Sequence, residues 1–291
     1  MSDSYEDEAG FDSNPLPILL ATLDSPRKLL VMLKAVHLNE KATCVVSERG
    51  LRFTVNDKGS AQTSAFVKAD LFDEYECRSK CDFAINLDVL IECLSIFGAT
   101  TANSQSTSLR ICYPGYGNPL ELKLAERNVC TTCNIHTMEG MYAEDMNFRG
   151  SEVYNKVILQ AEALRPIFSE MTIGDKHGQF DVYISAQDPC LRFSTSNVAG
   201  SCEVSFPPEC EVVESLESVR TQSGQYLLSS MRHCLKAMSV ASKVSMRMNA
   251  RGFLSLQFMI EHDVGQQSFV EYWLVPDVEA AEEYEYADDD E

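Results

Sequence analysis

No run of 18 or more apolar residues occurs anywhere in the 291-residue chain, which argues against a membrane-spanning helix. The first ten residues are acidic, where a secretory leader would be basic and then apolar, so the expectation is a soluble, intracellular protein. Nucleotide chemistry lacks its motifs: there is no glycine-rich loop of the P-loop or dinucleotide kind, and any use of ATP would fall to a partner. No Ser or Cys sits in a G-x-S-x-G elbow, and His37, His136, His177, His233 and His262 are dispersed along the sequence, so surface or packing roles are expected for them. Nothing in these patterns calls for a cofactor or a metal.

Cysteine, by contrast, is plentiful. Eleven are scattered through apolar strand-like and helix-like runs, an odd count unlike a compact secreted framework, and they read as reduced thiols. Cys130-Thr131-Thr132-Cys133 has the spacing of a redox or zinc pair, with Cys77 and Cys81 as a conceivable second pair. In an extended strand, however, residues three apart point to opposite faces, and no helix start follows to lower a thiolate pKa, so core or edge thiols are expected.

The net charge of −20 looks hostile to nucleic acid until it is located. Residues 1–14 hold five acids and residues 279–291 hold eight, with no Lys or Arg in either, so the charge of the remaining body is only −7. Both tails are too polar to bury a core and are expected to be disordered.

Between the tails the sequence repeats itself. Leu51-Arg52-Phe53-Thr54 recurs as Leu191-Arg192-Phe193-Ser194 at an offset of 140, Cys93-Leu94 as Cys234-Leu235 at 141, and Arg110 finds its counterpart in Arg247 at 137. Each half also shows one order of elements. A short apolar strand (16–23; 153–159) runs into a helix (25–38; 161–171), period-two hairpin segments follow, such as 42–47, 51–55 and 61–67, then comes a second helix (87–97; 225–239), and three strands close the half. In the second half these are 243–249, 252–260 and 267–275, with Asn249 to Gly252 as a turn. The expected organisation is therefore one unit at 15–137, a connector at 138–151 and a second unit at 152–278.

Two helices depart from the acidic background. On the first, Leu29, Met32, Leu33 and Val36 fall in one sector, with Arg27 and Lys34 opposite; Asp24 or Ser25 can cap its start. On the fourth, Leu227, Leu228, Met231, Cys234, Leu235 and Met238 cluster, with Arg232 and Lys236 opposite. A solvated helix face explains one such stripe. Two of them, one in each half of a repeat, suit a phosphate backbone, which is recognised by non-directional attraction without reading bases.

The runs Asn86-Leu87-Asp88-Val89-Leu90-Ile91-Glu92-Cys93-Leu94-Ser95-Ile96-Phe97-Gly98, Tyr113-Pro114-Gly115-Tyr116-Gly117-Asn118-Pro119-Leu120, and Arg251-Gly252-Phe253-Leu254-Ser255-Leu256-Gln257 followed by Phe269-Val270-Glu271-Tyr272 closely resemble the Rad-one subunit family of the nine-one-one checkpoint clamp. The similarity spans nearly everything from about 15 to 278. It implies an α+β DNA-clamp fold of two similar domains, each with antiparallel sheets outside and two helices inside. It further implies a nuclear, non-catalytic scaffold that forms a ring with two other checkpoint-clamp subunits. An ATP-driven loader would place that ring on double-stranded DNA at single-strand/double-strand junctions, where it would serve checkpoint kinases and repair enzymes. Carried over by position, the DNA-facing residues are Arg27, Lys28, Lys34 and Lys236, with Arg165, Arg232 and Lys243 beside them. The helix at 87–97 departs from the pattern, offering Asp88 and Glu92 and no base. The connector, where related homotrimeric clamps dock peptides, lacks apolar groove residues. Unpaired edges for neighbouring subunits are expected after Leu109 and around Cys202 to Ser205 or Phe180 to Ser185. The alternatives are a homotrimeric clamp and a 3′–5′ exonuclease. The latter needs convergent carboxylates around two metal ions, and Asp73, Glu74 and Glu76 read instead as a solvated turn.

Overall fold

The computed structural model describes residues 16–57, 59–97, 107–140, 150–171, 178–197, 200–262 and 265–277. The acidic tails expected at 1–14 and 279–291, most of the connector, and His177 lie outside the described residues.

The first half runs β1 (Leu19–Leu23), α1 (Arg27–Ala35), β2 (Lys41–Ser47), β3 (Gly50–Asp57), β4 (Ala61–Lys68), β5 (Glu74–Cys77), β6 (Cys81–Asn86), α2 (Leu87–Leu94), β7 (Ser108–Tyr113), β8 (Leu120–Glu126), β9 (Val129–Ile135) and a short β10 (Met138–Glu139). The second runs β11 (Val153–Gln160), α3 (Ala161–Met171), β12 (Gln179–Ile184), β13 (Leu191–Asn197), β14 (Gly200–Phe206), β15 (Val213–Ser218), β16 (Gln222–Leu227), α4 (Leu228–Met238), β17 (Lys243–Asn249), β18 (Leu254–Glu261) and β19 (Gln267–Leu274).

Local chemistry explains most boundaries. The Ser25 hydroxyl accepts the Arg27 N–H at 3.3 Å at the start of α1, while Asp24 turns to Lys28 instead. Asn86 caps α2 through Val89 N–H at 3.0 Å. That helix ends at Leu94 rather than 97, where the Ser95 hydroxyl donates back to the Ile91 carbonyl at 2.7 Å. The expected helix from 225 begins only at Leu228, because Gln222 to Leu227 pair with β12 as a strand. Gly252, with φ +78, closes the Asn249 turn, whose Asn249 Oδ1 accepts the N–H groups of Arg251 and Phe253 at 3.0 Å each.

Every strand pairing is antiparallel, and the strands form three sheets. One has the order β5-β1-β7-β8-β9, one β14-β13-β12-β16, and the central ten-stranded sheet β10-β6-β2-β3-β4-β19-β18-β17-β11-β15. The central sheet is two halves joined at β4 and β19, in register from Phe66 opposite Phe269 to Ala61 opposite Leu274. Cut there, it shows the duplication: β5-β1-β7-β8-β9 has the order of β15-β11-β17-β18-β19, and β6-β2-β3-β4 that of β16-β12-β13-β14. All three repeat signals fall on corresponding elements, β3 with β13, α2 with α4, and β7 with β17.

The alternation seen in sequence becomes burial. Val244, Met246 and Met248 of β17 are buried while Lys243, Ser245 and Arg247 face outward. In the second half, Phe168, Phe180, Phe193 and Phe206 stack in a connected group with centroids 5.1 to 5.6 Å apart. No helix among the described residues is long and apolar enough to cross a membrane.

Candidate nucleic-acid interface

The helices form one continuous row. α1 packs against α2 and α4, and α4 packs against α3, so the row crosses from one half to the other over the β4 to β19 joint. Buried anchors fix it there. The Thr63 hydroxyl of β4 donates to the Val36 carbonyl at 2.9 Å, and the Tyr272 hydroxyl of β19 donates to the Ala35 carbonyl, with the His233 carbonyl 3.1 Å away. The packed helix faces hold Leu29, Met32 and Leu33 of α1, Leu164 and Phe168 of α3, and Met231, Cys234 and Met238 of α4. Amphipathicity then directs the remaining residues of each helix away from the sheets.

Arg27 and Lys34 on α1, Arg165 on α3 and Lys236 on α4 are exposed along this row. Two of them also tie it together: Lys236 Nζ donates to the His37 carbonyl at 2.9 Å, and Arg165 donates to the Met238 carbonyl at 3.4 Å. Both acceptors lie at helix C-terminal ends, where the backbone dipole favours a cation. The other three predicted residues are placed differently. Lys28 is half-buried and ion-paired with Asp24 at 3.3 Å, Arg232 is half-buried on α4, and Lys243 sits on β17 paired with Glu214 at 2.7 Å. Lys243 belongs to a strand face that the helices do not share.

Taken together the four helices carry six Lys and Arg against four Asp and Glu, whereas the chain carries 24 against 44. The row is thus a basic surface on an acidic protein, and it is lopsided. All the acids lie on α2 (Asp88, Glu92) and α3 (Glu162, Glu170). Asp88 closes on His37, pinning the end of α1 to α2. Between α1, α2 and α4 lies a cleft of about 600 Å³ bordered by Lys34, His37, Asp88, Glu92 and Lys236. His37 and His233, far apart in sequence, come close enough here to repel when charged. Burial first, and then the Lys236 ammonium, hold the His233 imidazole below its usual pKa.

The acids weighed for metal chemistry do not converge. Asp73, Glu74 and Glu76 are exposed, with Glu74 and Glu76 on strand β5 rather than in a turn, and Glu76 lies 3.8 Å from Arg78. Among the described residues no three His, Cys, Asp or Glu side chains are grouped to hold a metal ion. Cys130 is exposed and Cys133 turns inward, as the strand alternation predicts.

The edges differ from expectation. The strand at Leu109, β7, is interior, lying between β1 and β8; Phe180 to Ile184 belong to β12, interior between β13 and β16. Cys202 to Ser205 do lie on an edge, β14, the counterpart of β4 in the repeat; β9, the counterpart of β19, is the edge of the five-stranded sheet. The reading of residues alone also missed a second cleft, of about 870 Å³, on the opposite face of the central sheet from α1 and α4. Arg52, Lys68 and Arg247 line it together with Phe66, Phe269 and Trp273. Its aromatic residues come from β4 and β19, which only the joint makes neighbours, so no local motif announces it.

Two antiparallel sheet-and-helix-pair units of one topology, fused through a shared sheet with all four helices in one row, make an α+β protein of the DNA-clamp fold. A family model described as "Repair protein Rad1/Rec1/Rad17" matches residues 18–260, and the chain belongs to that family. The chain is 41% identical over 266 residues to the "Cell cycle checkpoint protein RAD1" of Mus musculus, an overlap of 91% of this chain and 94% of that protein. It is 27% identical to the "DNA damage checkpoint control protein rad1" of Schizosaccharomyces pombe, covering 84% of this chain and 82% of the relative. A more distant relative, the "DNA repair exonuclease REC1" of Mycosarcoma maydis, is 24% identical over 55% of this chain and 41% of its own.

Proposed function

We propose that this chain acts in the DNA-damage checkpoint as a non-catalytic subunit of a heterotrimeric ring, with clamp units at 15–137 and 152–278 joined by the connector 138–151. The observation that carries this reading is the joint between β4 and β19. Among the described residues their counterparts in the repeat, β14 and β9, are sheet edges, so the same antiparallel pairing can be repeated between chains. Three chains with two units each then give a ring of six units, with sheets outside and the helix row inside.

The identity of the edges favours unlike neighbours. The internal joint is cemented by Phe66 opposite Phe269, whereas β9 and β14 present mostly Thr, Ser, Cys and Asn, with Glu203 held by Arg192 at 3.9 Å. The helix row would meet the phosphates of double-stranded DNA through Arg27, Lys34, Arg165 and Lys236. Four cations against a long polyanion give loose, salt-sensitive contact, which suits a tether that moves along DNA. The outer cleft is then left free for the repair and kinase partners of a nuclear scaffold. Loading onto DNA at a single-strand/double-strand junction is assigned to an ATP-driven partner, since the sequence has no nucleotide-binding motif of its own.

The test is salt-dependent DNA binding by the complex assembled with the two other subunits. Replacing Arg27, Lys34, Arg165 and Lys236 by Ala is expected to flatten the slope of log affinity against log salt by roughly 3 to 4, near 0.9 per lost phosphate contact. An unchanged slope in an intact complex would refute the DNA-facing assignment. The alternative, a 3′–5′ exonuclease, is favoured only by the name of the Mycosarcoma maydis relative. Nuclease activity that survives stringent purification and is lost in Glu74→Gln or Glu76→Gln would establish it instead.

A further inference from the structure

The outer cleft gathers positive charge. Arg49, Lys68 and Lys80 are exposed around it, Arg52 and Arg247 are half-buried in it, and Phe66, Phe269 and Trp273 form its half-buried aromatic floor. Lys68 Nζ lies 5.2 Å from the centre of the Phe269 ring, and Arg247 donates to the Gln257 side chain at 2.9 Å. Among the described residues that line the cleft, Glu271 alone is acidic, and it is buried, accepting the Ser255 hydroxyl at 2.9 Å. Elsewhere Lys28, Lys123, Lys156 and Lys243 are ion-paired, whereas none of the five cleft cations forms an ion pair with a described carboxylate. Such a concentration of one sign, in a chain of net charge −20, sets up a local potential that draws anions.

The chain carries a matching anion of its own. Residues 279–291 hold eight acids, no Lys or Arg, and two tyrosines, Tyr284 and Tyr286. They follow β19, the strand that gives the cleft Phe269 and Trp273, whereas the acidic residues 1–14 precede β1, which belongs to another sheet. Beyond β19 the Val275 and Asp277 N–H groups donate to the Ser60 and Gln225 carbonyls at 3.1 and 2.8 Å, so the chain is held beside the sheet up to that point. From Asp277 back to Phe269 is eight residues of strand, about 27 Å, and Arg52 lies two strands, about 10 Å, to the side. The 14 residues after Asp277 span up to about 46 Å when extended, enough to double back across the cleft.

We propose that the acidic tail 279–291 folds back as a strap over the outer cleft, its carboxylates on the five cations and its tyrosines on the aromatic floor. A segment too polar to fold alone orders against such a surface with low affinity for its area, and tethering offsets this by raising its effective concentration to roughly the millimolar range. Tyrosine against Phe or Trp, and arginine against tyrosine, add contacts that acids alone lack. A partner that uses the cleft must first displace the strap. None of this depends on the ring reading.

The test treats the full chain with a water-soluble carbodiimide, which joins amines to carboxylates in direct contact, and maps the links by peptide mass spectrometry. Mixing isotopically labelled with unlabelled chain separates links within one chain from links between copies. The expected products join Lys68 or Lys80 to a carboxylate of 279–291 within one chain. Their yield should fall at least about fivefold at 1 M salt, where the screening length is about 3 Å, and about threefold or more in Arg49→Gln/Arg52→Gln, which keeps both amines. Trp273, the single tryptophan, supplies a second reading. Its emission should shift as salt rises in the native chain and stay constant in the chain carrying Glu282→Gln, Glu283→Gln, Glu285→Gln, Asp288→Asn, Asp289→Asn and Asp290→Asn. The proposal is overturned if Lys68 and Lys80 link only outside the tail, or if tail links form only between copies. It is equally overturned if a short oligothymidine binds in the cleft of the native chain without displacing the tail links, which would give the cleft to nucleic acid.

Discussion

His233 shows how one residue answers to its surroundings rather than to its neighbours in sequence. Its pKa is lowered chiefly by burial and then by Lys236; Arg232 and His37 push the same way, and Asp57 opposes them. The sign of the effect on stability follows from proton counting. As pH falls through about 6.5, the unfolded chain takes up a proton on this imidazole before the folded chain does, so stability is lost toward acid. Thermal unfolding at pH about 7.5 and about 5.5 should therefore show a lower Tm in acid, and His233→Gln should narrow the difference. A variant with the full native difference would remove His233 as a contributor. The histidine is plain in the sequence, but its proximity to His37 across the row of helices is not. The opposite orientation of Cys130 and Cys133, by contrast, follows from strand geometry alone.

Elements were the most legible level. The helix at 161–171 and the strand at 243–249 fall where periodicity places them, because buried faces impose spacings of 3.6 and 2 on the sequence. The start of α4 was misread because Tyr226 and Leu227 continue the apolar stripe of the helix, while pairing with β12 holds them extended. Which strands are edges was legible only in part, since an edge is defined by a missing partner, and partners are distant in sequence. A test at this level uses the alternation of N–H groups along an edge strand. Of Thr131→Pro and Thr132→Pro, the one whose N–H points away from β8 should leave the chain folded, with little change in Tm. That same variant should fail to bind the neighbouring subunit in co-purification, since its edge has lost a donor and gained a ring. Normal ring assembly by the folded variant would mean that β9 is not a subunit joint.

At the scale of the whole molecule, an acidic protein is read as a DNA clamp because its charge is segregated: 13 of its 44 acids lie in the tails, and the bases on its helices share one row. Purified alone, the chain is expected to give the mass of one chain in light scattering and to assemble in a 1:1:1 complex only with the two unlike subunits of the proposed ring. A stable particle of three identical chains would favour the homotrimeric alternative. The sequence by itself determined the duplication, the order of elements, the packed and basic sides of α1 and α4, and the family, because all of these are written in local periodicity or in runs of neighbouring residues. Tertiary structure alone decided that β4 and β19 join, that β9 and β14 are sheet edges among the described residues, and that Lys236 reaches the end of α1. Those outcomes rest on contacts between residues about 200 positions apart, 199 from His37 to Lys236 and 213 from Ala61 to Leu274, and no local pattern encodes a partner that folding alone supplies.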